Sequence, residues 1–409
     1  MRVIARFWKS RWASYILVLL IFSFFCEGLI FKDVSAQPNS ISEVAPLKIQ
    51  ARAAILVNAD TGQILYEYNI HERFPHASLT KIMTLLIAMD ALDNGEINLT
   101  NVVTISKEAS DVVGSRIWLS EGDKISVEDL MKAIAVPSAN DASYALAQHI
   151  AGSEENFVRM MNDKAKAMDL KDTHFQDSTG LSSLDHYSSA YDLYLQSREL
   201  ILKHPLILDW TSRWLIKIEA KNYSYANTNR LVNPYESYEG LDGLKTGHTE
   251  EAQWCLVATA KKANVRLISV ILGADSEETR MSETRRLLDY GFYNFRSISF
   301  KDGEVVGSVS IPLGREEKVD AVMKETMTFL IPKGKDDSEI VKEIELVKGL
   351  KAPVAKGEKI GELVVYDEGR EIIRGEVVAA EDVERANIFV IIFRWIRDFI
   401  KGLISKEAA

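Results

Sequence analysis

An apolar run at helical spacing is the strongest pattern in the first third of the chain. Residues Ile82 to Leu92 place large apolar side chains on nearly every side of a helix. A helix that is apolar all round is buried inside a protein rather than lying on its surface. The pattern therefore predicts a buried helix that opens at Ala77-Ser78-Leu79-Thr80-Lys81.

Shorter patterns predict hairpins and helices around this element. Strand-forming residues on both sides of the turn Asp60-Thr61-Gly62 indicate a β-hairpin over residues 54–68. A second hairpin is predicted over residues 254–272, where residues 261–264 join two strand-like runs. Helical spacing predicts three further helices, at residues 127–135, 155–168 and 192–202.

The pattern changes after Phe295. Short strand-like runs, separated by glycine, proline and lysine, continue to Ala380 and predict a small, separate β-sandwich. Residues 387–406 return to helical spacing, with large apolar residues such as Trp395 on one side. The other side carries the basic residues Arg394, Arg397, Lys401 and Lys406. Charges within the stretch argue against a membrane span, so it is predicted to lie in the bilayer surface as an anchor. The alternative is a terminal helix docked on its own domain.

The N-terminus has the pattern of an export signal. Basic residues precede a short apolar run, Tyr15 to Phe25, and Val34-Ser35-Ala36 gives small residues before a cleavage point. An uncleaved signal anchor is the alternative, although the run is short for a membrane span. The predicted divisions are thus a signal peptide (1–36), a catalytic domain (37–300), a β-sandwich domain (301–384) and an amphipathic anchor helix (385–409).

Composition narrows the function classes. A content of 47% hydrophobic and 26% charged residues is that of a folded globular protein. The length of 409 residues is too great for one ordinary core, so two domains are expected. The formal charge of −10 becomes about −13 without residues 1–36, which hold five basic and two acidic residues. Such an acidic chain argues against nucleic-acid binding. Cleavage also leaves Cys255 as the only cysteine, so the exported protein has no internal disulfide.

Three short motifs carry the candidate chemistry. Ser78 and Lys81 lie three residues apart on one helical face, so the lysine could act as base for a serine nucleophile. A serine N-cap and a lysine extending to solvent would explain the same pair. Ser138 and Asn140 follow Pro137, and Ser138 is predicted to begin a helix. Ser138 could pass a proton, and Asn140 could bind a substrate backbone or hold Lys81 in place. Simple capping by Ser138 or Asp141 is the alternative.

The third motif, Lys245-Thr246-Gly247, is predicted to lie on or beside a sheet strand. Lysine and threonine there could grip an anion, while the glycine lets a ligand approach the backbone. A solvated strand end with a turn glycine is the alternative. Each motif alone is weak evidence. Their joint order, Ser-x-x-Lys, Ser-x-Asn and Lys-Thr-Gly, is typical of penicillin-binding proteins and class A β-lactamases.

Residues 53–295 resemble the D-alanyl-D-alanine carboxypeptidases among the low-molecular-mass penicillin-binding proteins. The residues around the motifs carry the resemblance, namely Pro75-His76-Ala77-Ser78-Leu79-Thr80-Lys81, Asn227-Thr228-Asn229 and Gly243-Leu244-Lys245-Thr246-Gly247-His248-Thr249. It implies an α/β (α+β) fold of the serine β-lactamase and transpeptidase type, in which an antiparallel sheet is flanked by helices. A weaker resemblance covers the β domain that follows.

The resemblance also implies residue roles. Ser78 would attack the bond between the terminal D-alanines of a peptidoglycan stem peptide, and Lys81 would take its proton. Ser138 would relay a proton to the leaving amine, and Asn140 would bind the substrate amide. Lys245 would support the network, while Thr246 and Arg280 would bind the terminal carboxylate. Backbone amides of Ser78 and His248 would form the oxyanion hole, next to Gly247.

No metal or cofactor is required by this chemistry, and β-lactams are expected to acylate Ser78. The protein is expected at the outer face of the cytoplasmic membrane. A class A β-lactamase is one alternative, although no Glu-x-x-Leu-Asn segment lies between the second and third motifs. A non-catalytic scaffold that binds peptidoglycan is the other. One departure from the family is Gln253, where relatives have glycine, and it is predicted to crowd the strand or tune the groove. His174, His186 and His248 are weaker candidates for proton transfer.

Overall fold

The computed structural model describes the backbone of residues 47–181 and 185–407, and the side chains through residue 397. The predicted signal segment, residues 1–36, lies outside the described residues.

The first domain combines strands with helices, and the sequence pattern predicted some but not all of them. Its strands are β1 (Ala53–Asn58), β2 (Ile64–Tyr68), β3 (Val102–Thr104), β4 (Lys124–Ser126), β5 (Leu215–Ile218), β6 (Tyr223–Ala226), β7 (Leu241–Thr249), β8 (Gln253–Lys262) and β9 (Val265–Ala274). Its helices are α1 (Lys81–Asp93), α2 (Lys107–Asp111), α3 (Val127–Ala135), α4 (Asn140–Ala151), α5 (Glu154–Ala167), α6 (Ala190–Lys203), α7 (Leu206–Thr211) and α8 (Glu277–Asn294).

A five-stranded antiparallel sheet lies at the centre of this domain. Its strand order is β2-β1-β9-β8-β7, so the first hairpin and the last three strands of this domain form one layer. Both predicted hairpins are confirmed, because β1 pairs with β2 and β8 pairs with β9. The strand that carries Lys245-Thr246-Gly247 is β7, at one edge of the sheet.

Alternation along the strands divides the core into two layers. Ile55 and Val57 of β1 pack with the helical region, whereas Ala54 and Leu56 pack against the α8 side. Helix α1 lies in the first layer, and residues 81–89 are all buried. The predicted buried helix is thus confirmed, although the α-helix begins at Lys81 and a single 3-10 turn, Ala77–Thr80, precedes it.

The second domain is built mainly of strands, with one 3-10 turn at Asp337–Glu339. Its strands are β10 (Phe295–Phe300), β11 (Val305–Ser310), β12 (Lys318–Met323), β13 (Met327–Pro332), β14 (Val341–Leu346), β15 (Lys359–Asp367) and β16 (Arg370–Ala379). They form a β10-β13 pair and a five-stranded sheet in the order β11-β12-β16-β15-β14, with a separate core. The all-β prediction is confirmed, but the pattern missed β10 and β12. The predicted domain divisions stay a prediction.

Helix α9 (Ile388–Glu407) ends the described chain. Arg394 donates hydrogen bonds to the carbonyl oxygens of Gly314 and Arg315, both at 2.6 Å, and pairs with Glu317 at 3.0 Å. Arg397 also pairs with Glu317, at 2.7 Å. These two arginines therefore hold α9 on the β domain. The two-sided pattern alone had suggested that they face outward. No helix within the described residues is long and apolar enough to cross a membrane.

Candidate active site

The turn that carries Ser78 is closely packed on two sides. A Cβ atom on Gly180 would lie 1.9 Å from the carbonyl oxygen of Ala77, and one on Gly247 would lie 2.7 Å from that of His76. Ala77 itself has φ +49°, in the left-handed region that disfavours residues other than glycine. Two glycines therefore let neighbouring chain close on a strained turn and fix Ser78 in place.

Lys81 is fully buried and points its amine at Ser78. Its Nζ lies 2.9 Å from Ser78 Oγ, 2.6 Å from Asn140 Oδ1 and 2.7 Å from the carbonyl oxygen of Thr179. Burial lowers the pKa of Lys81 to about 7, although nearby Asp177 and Asp141 act in the opposite direction. Snorkelling to solvent, the alternative for this lysine, is therefore wrong. The amine loses its proton near neutral pH and faces the hydroxyl of Ser78.

Asn140 holds Lys81 from the second motif. Its Oδ1 accepts from Lys81, and its Nδ2 donates to the carbonyl oxygen of Val113 at 2.7 Å. The prediction that Ser138 begins this helix is wrong, because α4 begins at Asn140 with Ala139 as its N-cap. Ser138 has φ +64°, which a right-handed helix excludes. Neither Ser138 nor Asp141 caps α4 with its side chain.

Lys245 meets Ser138 from the opposite wall. Its Nζ donates to Ser138 Oγ at 2.8 Å and to the carbonyl oxygen of Thr246 at 2.9 Å. Burial lowers the pKa of Lys245 well below its usual range, and the charges of Lys81 and Arg280 lower it further. Two buried amines thus face one cleft, each in contact with a different serine.

The cleft between these walls has a volume of about 450 Å³. Its lining residues are Ser78, Ser115, Ser138, Asn227, Thr228, Arg230, Thr246, Gly247, His248, Trp254, Glu277 and Arg280. Six of the nine predicted site residues line this cleft. Of the other three, Lys81 binds Ser78 and Lys245 binds Ser138, both of which line the cleft. Asn140 binds Lys81.

The β7 end of the cleft is rich in groups that bind anions. Thr246 Oγ1 donates to Thr228 Oγ1 at 2.7 Å. Arg280 is buried, pairs with Glu277 at 2.9 Å and lies over the ring of Trp254, 5.0 Å from its centroid. Its Nε has no hydrogen-bond partner among the described residues. Hydroxyl and guanidinium donors at one end of a cleft suit a carboxylate.

The three candidate histidines lie in different surroundings. His186 Nδ1 accepts from the backbone N–H of Gln176, so its Nε2 carries the hydrogen and donates to Thr80 Oγ1 at 2.8 Å. Burial lowers the pKa of His186 to about 4, so this ring is neutral and structural. His174 lies beside Asp185, away from the cleft lining. His248 lines the cleft, and its ring lies tilted against that of Trp254, with 4.0 Å between the ring centroids.

Cys255 is fully buried, and burial raises the pKa of its thiol to about 11, which confirms a core role.

Several site contacts carry no signal in the sequence. Thr179 and Val113 act through backbone carbonyl oxygens, which any residue would supply. Ser115 and Trp254 reach the cleft only because their segments fold beside it. Gln253 is exposed with φ +56°, a conformation that suits glycine, and it does not line the cleft. The Asn227-Thr228-Asn229 segment was the one signal for the contact between Thr228 and Thr246.

Comparison with known proteins identifies the family. Residues 39–276, more than half of the chain, match the family described as D-alanyl-D-alanine carboxypeptidase. This chain belongs to the D-alanyl-D-alanine carboxypeptidase family. Residues 298–385 match the C-terminal domain of penicillin-binding protein 5.

Relatives cover most of the length. The chain is 38% identical over 356 residues to D-alanyl-D-alanine carboxypeptidase DacF of Bacillus subtilis, which covers 86% of this chain and 90% of the relative. It is 35% identical to DacD of Escherichia coli over 84% of this chain and 89% of the relative. Penicillin-binding protein 5 of Haemophilus influenzae is a structural neighbour, with a TM-score of 0.73, 34% identity, and coverage of 83% and 99%.

A smaller neighbour is penicillin-binding protein D2 of Listeria monocytogenes, solved in an ampicillin-bound form. Its TM-score is 0.55 at 32% identity, over 60% of this chain and 99% of that one. The resemblance inferred from the three motifs is thus confirmed, as are the mixed catalytic fold, the serine D-Ala-D-Ala carboxypeptidase class and the all-β domain.

Proposed function

We propose that the cleft releases the terminal D-alanine from peptidoglycan pentapeptide stems through an acyl-enzyme on Ser78. The contact between Lys81 Nζ and Ser78 Oγ, at 2.9 Å in a fully buried pocket, carries the proposal. A neutral lysine keeps two N–H donors and gains one lone pair. The two N–H donors of Lys81 bind Asn140 Oδ1 and the carbonyl oxygen of Thr179, so the lone pair can accept the hydroxyl proton of Ser78.

The remaining residues act on the bound substrate. Lys245 donates to Ser138, which supports Ser138 as the relay that protonates the leaving amine. Thr246 and Arg280 at the cleft end suit the terminal carboxylate of the substrate. Backbone amides of Ser78 and His248 would bind the oxyanion, beside Gly247. Asn140 already holds Lys81 and Val113, which supports a positioning role besides substrate binding.

Penicillin labelling tests the nucleophile. The chain without residues 1–36 is incubated with penicillin, and the adduct is located by peptide mass. An adduct on Ser78 and none in Ser78→Ala is expected, with Ser110→Ala, a serine of the short helix α2, as the matched control. An adduct elsewhere in the chain would overturn the mechanism.

Product analysis separates the alternatives. D-alanine release from a pentapeptide is expected for the carboxypeptidase. Rapid penicillin hydrolysis without that release would indicate a β-lactamase, and no acylation at all would indicate a non-catalytic scaffold.

We also propose that the exported protein lies on the outer face of the membrane through α9. Phe389, Phe393 and Trp395 are exposed by 79%, 69% and 68% of their surface, while Arg394 is turned inward. An exposed aromatic face on an amphipathic helix suits insertion at the headgroup level. The arginine contacts with the β domain leave that apolar face outward.

Vesicle flotation tests the anchor. The chain without residues 1–36 is floated with vesicles of phosphatidylglycerol and phosphatidylcholine. The double variant Phe393→Ser/Trp395→Ser is expected to lose most of its binding, whereas Tyr235→Ser, an exposed aromatic of the catalytic domain, retains it. Equal flotation of all three proteins would contradict the anchor.

A further inference from the structure

One arginine beside the cleft has no anionic partner in the described part of the chain. Arg116 makes neither an ion pair nor a hydrogen bond there, and its Nε is shielded from solvent without an acceptor. Its guanidinium instead lies over the ring of Trp118, 4.1 Å from the centroid. Stacking on an aromatic face uses the flat side of a guanidinium and leaves its in-plane N–H donors available to bind a carboxylate.

Trp118 is itself unusually placed. It is 67% exposed, and it is held at φ +60°, in the left-handed region that is costly for a bulky residue. A large apolar ring kept in solvent by a strained backbone has no stabilising role in the core. Such strain persists where the surrounding contacts impose it, and here hydrogen bonds hold the backbone at Ile117, Trp118 and Leu119.

Hydrogen bonds from the start of helix α4 hold the segment from Val113 to Leu119 in place. The backbone N–H of Asn140 donates to the carbonyl oxygen of Ser115 at 2.7 Å. Asp141, fully buried, accepts from the N–H groups of Ile117 at 3.2 Å and Leu119 at 3.0 Å.

Two side chains from the β5–β6 region also bind this segment. Lys221 Nζ donates to the carbonyl oxygen of Trp118 at 2.9 Å. The hydroxyl of Tyr225 donates to the carbonyl oxygen of Ile117 at 3.1 Å. Arg116 and Trp118 are thus presented from a rigid strip whose neighbouring residue, Ser115, lines the cleft.

We infer that the Arg116–Trp118 pair is a subsite for a carboxylate on the peptide upstream of the D-Ala-D-Ala terminus. This inference rests on the proposed function. The donors Thr246 and Arg280 lie at the β7 end and take the substrate's own terminal carboxylate. The upstream peptide then leaves the cleft past Ser115, where Arg116 is the cation without a partner among the described residues. The stacked ring supports the guanidinium and offers an apolar face to the peptide's methylene groups.

Paired peptides test the subsite. One substrate is acetyl-γ-D-Glu-diaminopimeloyl-D-Ala-D-Ala with both upstream carboxylates free, and the other has both amidated. The wild type is expected to favour the carboxylate peptide by about tenfold in kcat/KM, as for one charge-assisted hydrogen bond. Arg116→Gln is expected to lower that ratio to about one through the rate on the carboxylate peptide alone.

Controls separate a binding role from a structural one. Arg116→Gln should acylate with penicillin and cleave the amidated peptide at the wild-type rate. Arg370→Gln, an exposed arginine of the β domain, should keep the full ratio. Trp118→Ala should lower the ratio in part by releasing the guanidinium.

An unchanged ratio in Arg116→Gln, or no preference in the wild type, would overturn the subsite while leaving the reaction intact. A wild type that cleaves neither peptide would overturn the reaction itself, and the subsite with it.

Discussion

Burial turns Lys81 into a base at neutral pH. An exposed lysine is protonated and cannot accept the proton of Ser78, but the buried amine has its pKa lowered to about 7. Activity that needs the neutral amine is lost as the pH falls through that pKa. We therefore expect kcat/KM for D-alanine release to rise with a midpoint of about pH 7.

Steady-state kinetics from pH 5 to 9 measure this profile. Lys81→Arg keeps a positive charge at every pH, so it is expected to lose activity by at least about 10³-fold. A flat profile between pH 6 and 8 would contradict the assignment of Lys81 as the base.

A second, partly buried group near the site affects stability rather than chemistry. Glu154 accepts from the backbone N–H of Ser178 at 2.8 Å and from its hydroxyl at 3.1 Å. Burial raises the pKa of Glu154 to about 7, above that of the unfolded chain. The folded state therefore binds the extra proton, and this stability is lost as the pH rises from about 4.5 through about 7.

Glu154→Gln should remove that loss, because the amide keeps a hydrogen-bonding group at this position without a charge. We expect its Tm to exceed the wild-type value at pH 8 by about 2–4 °C, which is about 1 kcal/mol for a domain of this size. Calorimetry at pH 5 and pH 8 measures the difference, with the neighbouring variant Glu155→Gln as control. A lower Tm than wild type at pH 8 would show that the ionised carboxylate stabilises the fold.

Local spacing made Ser78 and Lys81 predictable, because three residues of one helical turn fix their proximity. Their partners were predictable only through a resemblance, since Asn140 and Lys245 are distant in sequence. The carbonyl oxygens of Thr179 and Val113 have no side-chain signature at all. The predicted start of helix α4 at Ser138 was wrong because a left-handed backbone and Lys245, not a cap, determine that serine's position.

At the scale of elements, the loop after α5 is as important to the site as the turn that carries Ser78. Gly180 lies at φ +85°, and its missing side chain admits the carbonyl oxygen of Ala77. The preceding residue, Thr179, binds Lys81 through its own carbonyl oxygen. A Cβ atom here would push the loop away from both catalytic residues.

Gly180→Ala is accordingly expected to lower the rate of penicillin acylation by more than about tenfold and to destabilise the fold by more than its φ cost alone. Gly95→Ala is the matched control, since Gly95 has φ +73° and a Cβ atom added there would meet no other atom within 4 Å. It should cost about 1 kcal/mol without slowing acylation. Equal effects of the two substitutions would show that the close contact is unimportant.

Elements with strong periodicity were predictable from sequence, and weak ones were not. Helix α3 was predicted to the residue because Ser126 caps it and its apolar face is regular. Strands β5 and β6 were missed because each has four residues, mostly exposed in β6. Strand β12 is an exception, because it was missed although its residues alternate regularly, and its position between β11 and β16 depends on pairing that is distant in sequence.

For the whole molecule, β13 connects the two domains. Leu330 packs in the core layer beside α8, whereas its neighbours Phe329 and Ile331 pack in the β-domain core. The side chain of Gln63 also binds the backbone of Leu330 in both directions, at 2.7 and 3.0 Å. Opposite faces of one strand thus contribute to different cores, so unfolding of the two domains should be coupled.

Leu330→Ala is expected to weaken that coupling and to split thermal unfolding into two transitions. Ile331→Ala removes a similar volume from the β-domain core alone and should cost about 2–5 kcal/mol there. Differential scanning calorimetry distinguishes them, and penicillin acylation checks that the catalytic domain remains folded. A single transition in Leu330→Ala would contradict coupling through this strand.

The dry pocket of Lys81 has a consequence for how the enzyme can be lost. The base works only while water is excluded, and much of that exclusion comes from residues with no chemical role, such as Gly180, Gly247 and the neutral histidine pair behind Thr80. Any change that admits water to the pocket raises the pKa of Lys81 toward its usual value, so that the protonated amine can no longer act as a base. The mutational target for inactivation is therefore much wider than the catalytic residues, and screens for loss of function should find it scattered through this shell.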